Sequence, residues 1–254
     1  AQWLNDNVTH VDAEVTTGTL EQTVADEVKK TTVDSSAMLT DPAVLAETDK
    51  LAEQIPQDTT DILTDEQKTE GGFVLKVAVY MEVAAKEYTP ASDTNPNPVL
   101  KLEITPKSKL VAVKSVQGQP DKIEDVAEGK ANAKPLPVTE FVNPVTINVV
   151  LPAGFATAGD NDIFAKHMGT TVQYIETTVT NGVDTLAGSV IATFEANEFS
   201  PYELTKDARK VAVTFKDAEG NVITEIGAAG VLNLSPVNIG EDLPTVTAPN
   251  GYEF

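Results

Sequence analysis

The segment from Phe73 to Val83 alternates apolar and polar side chains with a period of two, which is the repeat of a β-strand. A strand with one apolar face has to be covered by a second layer. We therefore predict a half-buried antiparallel strand here and a packed sheet around it. The apolar positions are Phe73, Leu75, Val77, Val79, Met81 and Val83, and the opposite face carries Lys76, Tyr80 and Glu82.

Several later segments repeat this alternation between turn-forming residues, and Val and Thr supply 62 residues, about a quarter of the chain. We expect a meander of two strands separated at Pro106, and a long exposed loop or irregular edge over 117–135. Six or more short strands favour a mainly β chain with an antiparallel, Ig-like β-sandwich domain or domains. The further strand segments are 100–105, 109–114, 145–151, 171–179 and 190–194.

Residues 1–70 carry 16 acidic against 4 basic side chains and have a helical pattern. Thr19 to Gln22 has the form of a capping box, so a short helix is predicted near 20–30. A second helix is predicted from Thr40 or Asp41 to Pro56, with Pro42 in its first turn. We expect an acidic N-terminal segment, 1–70, whose two short helices pack on the sheet.

The rest of the chain is divided into a β-sandwich region, 71–205, and a C-terminal part, 206–254. The sandwich region is one domain or two, with a division near 117–143. The charged stretch 206–210 is predicted to be a domain junction, followed by a hairpin over 211–226 in which Gly220 supplies a positive φ. The last residues, 248–254, end in mid-pattern, which indicates a fragment of a longer protein.

Charge and cysteine content exclude several functions. The net charge of −21 disfavours binding to nucleic acid or to anionic lipid. Without Cys the chain has no disulfide, thiol nucleophile or thiolate zinc site. The nearest match to a hydrolase elbow, at 187–191, lacks its second Gly, and the Gly pairs fit no phosphate-binding motif.

The remaining polar residues suggest no site. His10 and His167 have no partner at ligand or triad spacing, so we interpret both as structural or merely exposed. The acidic groups at 160–162 and 217–219 place oxygens in loops but do not continue into a calcium loop, and a turn-forming role is preferred. Trp3 and the tyrosines form no stacking row. We predict no catalytic, cofactor-binding or metal-binding residue and a protein that is not an enzyme.

Three motifs resemble modules in large cell-surface proteins of Gram-positive, clostridial-type gut bacteria. They are Leu-Pro-Ala-Gly-Phe at 151–155, the His167 and Gly169 pair, and Phe-Ser-Pro-Tyr-Glu-Leu at 199–204. The segments 72–83 and 99–106 are similar to the same proteins, and 211–223 with 248–254 resembles their β-grasp-like repeats. We interpret the motif at 199–204 as core residues of a last strand, which mark a fold and not a site.

The resemblance implies a non-catalytic structural or display module that spaces or presents a binding region. It implies an extracellular, cell-surface location with the anchor outside this sequence, and as partners an unknown host or cell-wall ligand and neighbouring domains of the parent chain. Some such proteins contain a Lys–Asn isopeptide bond, for which Lys76 or Lys101 with Asn197 are the candidates. Two alternatives stay open: an adhesin or glycan-binding module that uses its loops, and an extracellular hydrolase.

Overall fold

The computed structural model describes residues 5–206, 212–223 and 231–233. It is 45% strand and 15% helical, which confirms the prediction of a mainly β, sandwich-like fold. The helices are α1 (Gln22–Val28), α2 (Pro42–Ala52) and α3 (Asp65–Glu70), with 3₁₀ turns at Ser36–Leu39 and Asp184–Leu186. The strands are β1 (Val8–Thr16), β2 (Thr32–Asp34), β3 (Val74–Thr89), β4 (Val99–Lys114), β5 (Lys122–Asp125), β6 (Lys134–Pro135), β7 (Glu140–Leu151), β8 (Ile163–Met168), β9 (Val172–Glu176), β10 (Thr178–Asn181), β11 (Val190–Glu198), β12 (Pro201–Lys206), β13 (Ala212–Thr214) and β14 (Val231–Asn233).

Two sheets form the layers of the sandwich. The large sheet has eight strands in the order β1-β3-β4-β12-β8-β9, with β5 and β6 also paired to β4. The small sheet has four strands in the order β10-β11-β7-β2. Pairing is antiparallel except between β1 and β3, which are parallel. A separate two-stranded sheet joins β13 to β14.

The inner faces of the two sheets share one apolar core. Alternate residues of each strand enter this core, as the period of two requires. Aligned packing of two sheets in this way produces a core about 10 Å thick. Large side chains that are almost completely buried in it include Met81, Leu102, Ile104, Ile147, Phe194 and Tyr202.

Strand β3 differs from the half-buried antiparallel strand predicted here. It lies inside the large sheet, with parallel β1 on one side and antiparallel β4 on the other. Its second face is also covered in part, since Ala78 and Tyr80 are 0% and 2% exposed. The edge strand β1, which the sequence analysis missed, is responsible for the parallel pairing.

The predicted break at Pro106 is wrong, because Pro106 lies within the continuous strand β4. The carbonyl of Pro106 accepts a hydrogen bond from Leu136 N at 2.9 Å, so the position of its missing N–H faces that same edge of β4. On this edge β12 pairs with β4 only as far as Glu103, and the pairing of β6 with β4 begins at Lys107. The proline therefore occupies a gap between two partner strands, where no donor is needed for the ladder.

Both predicted N-terminal helices are present, with corrections at their ends. Asp41 caps α2, accepting hydrogen bonds from Ala43 N and Val44 N at 2.9 and 3.3 Å. The helix ends at Ala52, earlier than the predicted stop at Pro56. The predicted capping box of α1 is wrong, since its N-cap is Glu21 and no side chain makes a capping hydrogen bond there. Residues 1–70 also contribute β1, β2 and α3, which the sequence analysis did not predict.

The segment 117–135 is a largely exposed, irregular edge. It contains β5 and β6, both paired to β4, and Val126 beside them is buried. The division of the chain at 71 and 206, and of the sandwich near 117–143, stays a prediction.

The predicted strand over 171–179 consists of two strands in different sheets. It breaks at Thr177, which is 7% exposed. The Thr177 hydroxyl accepts a hydrogen bond from Ala165 N at 3.1 Å and donates to Ile175 O at 3.2 Å. This side chain supplies hydrogen bonds at the corner where β9 of the large sheet gives way to β10 of the small one.

The turn of the predicted C-terminal hairpin lies in the described residues. Gly220 has φ +88°, and its N–H donates to Asp217 O at 3.0 Å. Beyond the turn, Ile223 N donates to Phe215 O. Trp3, 207–211, 224–226 and 248–254 lie outside the described residues, and so does most of the predicted β-grasp-like repeat.

Candidate functional site

Three polar side chains meet where the chain crosses from the small sheet to the large one. His167 is in β8, Glu198 is the last residue of β11, and Ser200 lies in the two-residue connection to β12. Because β11 and β12 belong to different sheets, this connection spans the edge of the sandwich. The register between β12 and β8 places Tyr202 opposite His167, so the imidazole lies next to the crossing.

The two nitrogens of His167 face different partners. Nε2 forms a hydrogen bond with the Ser200 hydroxyl. Nδ1 lies 3.4 Å from Glu198 Oε2, a distance at which a charged imidazole would form an ion pair. The approach lacks hydrogen-bond geometry, and among the described residues buried Nδ1 has no hydrogen-bond partner. His167 is 3% exposed, whereas Ser200 and Glu198 are partly exposed.

Aromatic packing fixes the imidazole. The rings of His167 and Tyr202 lie 4.9 Å apart, and the ring of Phe194 lies 5.6 Å from that of Tyr202. The Tyr202 hydroxyl donates a hydrogen bond to Glu198 O at 2.5 Å. Burial, aided by the charge of Glu198, raises the pKa of Tyr202 well above its ordinary value. The phenol therefore stays neutral and continues to donate at neutral pH.

Gly169 leaves room for this ring. A Cβ at this position would lie 3.0 Å from His167 Cε1 and 3.4 Å from His167 Nδ1, closer than most real contacts of that kind. His167 and Gly169 form one of the motifs named above. The close approach of the imidazole explains why position 169 favours a residue without a Cβ.

Phe199, Tyr202 and Leu204 were predicted to be core residues of a last strand, and their packing agrees with that prediction. Tyr202 and Leu204 are buried, and the Phe199 ring contacts Phe141 at 4.4 Å. What the sequence missed is the approach of Ser200 to His167, which lies 33 residues earlier. The pairing register between β8 and β12 creates this approach, and no local spacing encodes it.

His10, the other histidine, has a structural environment. Its Nε2 lies 2.8 Å from the hydroxyl of Ser35, and that hydroxyl donates to Asp12 O at 2.6 Å. Burial lowers the pKa of His10, and the charge of Asp12 opposes this effect. The contact joins β1 to the turn after β2, so it connects the edges of the two sheets.

A groove of about 550 Å³ lies on the outer face of the large sheet. Its floor is apolar, because Val11, Val111 and Ile123 line it and belong to a small apolar cluster on this face. Carboxylates surround the floor. Residues that line it are Val11 and Asp12 of β1, Lys109 and Val111 of β4, and Ile123 and Glu124 of β5.

Lys109 extends across this groove, where two carboxylates balance its positive charge. Its ammonium lies 2.9 Å from Glu14 Oε2, 2.7 Å from Asp125 Oδ1 and 5.4 Å from the ring centre of Tyr80. Burial lowers the pKa of Lys109, but hydrogen bonds to Asp125 and Glu14 outweigh it and the pKa is raised overall. With its lysine paired, the groove has a negative surplus.

The two acidic loops lie in different settings. Lys206 Nζ lies 3.3 Å from Asp160 Oδ2 and 3.5 Å from Asp162 Oδ2, so a side-chain ammonium already faces both carboxylates. Asp217 accepts hydrogen bonds from Asn221 Nδ2 at 2.9 Å and from Asn221 N at 2.7 Å, which stabilise the turn and lower the pKa of Asp217. No group of three or more His, Asp or Glu side chains suited to a metal ion occurs in the part of the chain that the structure describes.

The structure does not bring the proposed isopeptide residues together. Lys101 is on the outer face of the large sheet, where it pairs with Glu87 at 2.8 Å. Lys76 alternates with buried Leu75 and Val77 and so shares that outer face. Asn197 is exposed on β11 of the small sheet.

Within the described ranges, no helix has the length and apolar character needed to cross a bilayer. Comparison with known protein families, with curated proteins and with solved structures finds no match to this chain.

Proposed function

We propose that this chain is a non-catalytic structural or display module of a bacterial cell-surface protein, which spaces or presents a binding region of the parent chain. The observation that carries the proposal is the pair of long strands β3 and β4, each of 16 residues. They pair along nearly their whole length, from Val74 with Val113 to Thr89 with Val99. Sixteen residues of extended strand measure about 50 Å.

A long paired ribbon is suited to a spacer. Side chains on one of its faces enter the common core, so bending the ribbon would open that core. Its outer face carries matched charges, among them Lys107 with Glu82 at 2.7 Å and Lys86 with Glu103 at 2.9 Å. The exposed pair of Lys86 with Glu103 contributes about 0–1 kcal/mol, and both pairs place charged groups on this face.

Surface shaving of intact source cells tests this proposal. Brief protease treatment should release peptides of this chain before cytosolic marker proteins appear in the supernatant. Recovery of the chain only after lysis, together with the cytosolic markers, would contradict the cell-surface assignment.

A second candidate function is ligand binding, which the groove on the outer face of the large sheet favours. Its apolar floor and acidic rim suit a ligand with an apolar body and positive groups. A cationic amphipathic peptide titrated into the purified chain tests the groove, and a glycan array and a mucin pull-down test for glycan binding. Ile123→Asp, which places a charge on the groove floor, should abolish saturable binding, whereas Val183→Asp at a 72% exposed position elsewhere should not.

The two candidate functions predict different binding results. Saturable binding that Ile123→Asp removes and Val183→Asp retains supports the adhesin and contradicts a pure spacer. Absence of saturable binding to the cationic peptide, to glycans and to mucin supports the spacer.

A further inference from the structure

We propose that Glu198, His167 and Ser200 form a proton relay, which makes the Ser200 hydroxyl a nucleophile toward activated esters of carboxylic and phosphonic acids. This reactivity goes beyond the display role. It concerns stoichiometric acylation or phosphonylation of one side chain, which a display module can undergo without being an enzyme.

The three side chains lie in the order that a proton relay requires. The hydroxyl is on the Nε2 side of the imidazole, and the carboxylate is on the Nδ1 side, 3.4 Å away. A nucleophile within hydrogen-bond reach of a base, with the base oriented by a third group, is the geometric signature of an activated serine on any fold. In the tautomer with its proton on Nδ1, Nε2 is free to accept from Ser200, and the negative charge of Glu198 at 3.4 Å favours that tautomer electrostatically rather than through a hydrogen bond.

Burial distinguishes this cluster from an ordinary packing contact. Fixing the crossing requires only the bond between Ser200 and Nε2 and leaves no role for a carboxylate at Nδ1. Yet Nδ1 is buried without a hydrogen-bond partner among the described residues, and the nearest acidic oxygen is that of Glu198. When His167 accepts the proton of Ser200 it becomes an imidazolium, and an adjacent carboxylate stabilises that charge.

The exposure of His167 and Ser200 also suits this role. His167 is 3% exposed, so its proton-accepting nitrogen is shielded from water, whereas Ser200 is partly exposed and open to a reagent. Gln173 reaches the other oxygen of Glu198, with its Nε2 at 3.4 Å from Oε1, and so limits rotation of the carboxylate. Glu198 and Gln173 are positioning residues here, since they do not touch the reagent.

The chemical step balances with a fluorophosphonate. The Ser200 Oγ–P bond forms, the P–F bond breaks and fluoride leaves, while the hydroxyl proton moves to Nε2 and then to solvent. With a carboxylic ester, the Oγ–C bond forms, the bond to the alcohol breaks, and the proton passes from Nε2 to the departing oxygen. No oxidant, metal or cofactor is required.

The test is labelling of the full folded chain with a fluorophosphonate, followed by intact mass and peptide mapping. We expect a single adduct on the peptide that contains Ser200, and none in Ser200→Ala. Glu198→Gln keeps the size of the side chain but removes its charge, and should slow labelling at least about tenfold. The control Ser115→Ala, at an exposed serine outside the cluster, should label at the parent rate.

Mapping on the unsubstituted chain decides the proposal even if a variant fails to fold. Absence of an adduct on the folded chain, or labelling of Ser115 as fast as Ser200, would overturn it. So would a Glu198→Gln chain that unfolds at the parent urea midpoint and labels at the parent rate, because the carboxylate would then have only a packing role.

Discussion

Asp41 and Val142 are joined by a hydrogen bond that links helix α2 to the small sheet, with Val142 N donating to Asp41 Oδ2 at 2.9 Å. The other oxygen, Oδ1, caps α2. This carboxylate, on a residue that is 3% exposed, therefore accepts hydrogen bonds both from the first turn of α2 and from a strand of the small sheet.

Removal of this carboxylate should destabilise the fold. Asp41→Ala loses an N-cap and leaves the Val142 N–H without its partner, so we expect a loss of about 1–3 kcal/mol in the free energy of unfolding. Urea denaturation followed by circular dichroism measures it. Asp65→Ala, at a 96% exposed side chain in the first turn of α3, is the control and should change stability by less than about 0.5 kcal/mol. Equal midpoints for the two variants would refute the assignment.

Loss of the Tyr202 hydroxyl should have a smaller effect. Tyr202→Phe keeps the ring packing but removes the hydrogen bond to Glu198 O, which should cost about 1 kcal/mol. Tyr88→Phe is the matched control, because the Tyr88 ring packs on Phe155 and its hydroxyl has no hydrogen bond among the described residues. A Tyr202→Phe chain as stable as the control would show that the bond contributes nothing net.

An added methyl group at position 169 should displace the imidazole of His167. That ring is held by Ser200 and Tyr202 and cannot easily give way, so Gly169→Ala should destabilise the chain by about 1–3 kcal/mol through overpacking. Imidazole proton NMR should show a shift of the His167 signals. The His10 signals serve as an internal control and should stay in place, whereas unchanged spectra for both rings would contradict the steric account.

Stability should fall on the alkaline side because of two buried tyrosines. Burial raises the pKa of Tyr80 and of Tyr202 above 10.0, the ordinary value. The unfolded chain loses these protons near pH 10 while the folded chain retains them, so stability is complete below about pH 10 and declines above it. The raised pKa of Lys109 acts with the same sign, since its ion pairs are lost as it deprotonates.

Urea midpoints measured from about pH 9 to 11.5 test this dependence. Tyr80→Phe should flatten the decline, and Tyr88→Phe should flatten it less, because Tyr88 is more exposed than Tyr80. A Tyr80→Phe chain whose midpoint falls as steeply as that of the parent would contradict the role of Tyr80.

Local periodicity predicted the strands in which every second side chain enters the common core. It located β3, β7 and β11, and the strand with Tyr202 and Leu204, because each places successive side chains alternately in the core and outside it. The same reasoning located α2, where Asp41, Pro42 and the apolar stripe agree.

Elements that depend on distant partners could not be predicted in this way. Strand β1 contains a bulge between His10 and Ala13. Val8 and Val15 both face the core although an odd number of positions separates them, so the alternation of β1 is broken. Pro106 looked like a stop because the gap between its partner strands is a property of the assembled sheet. The cluster of His167 and Ser200 likewise exists only through strand register.

The N-terminal strands also affect how the chain can fold. Strand β1 joins the large sheet and β2 joins the small one, so the first part of the chain belongs to both layers. Val150 N donates to the hydroxyl of Thr31, 119 positions earlier. Loop closure of this length raises the contact order and slows folding. During synthesis β2 has to wait for β7, so the open edges of the unfinished sandwich are exposed to other chains until the ribosome has made more than half of the sequence.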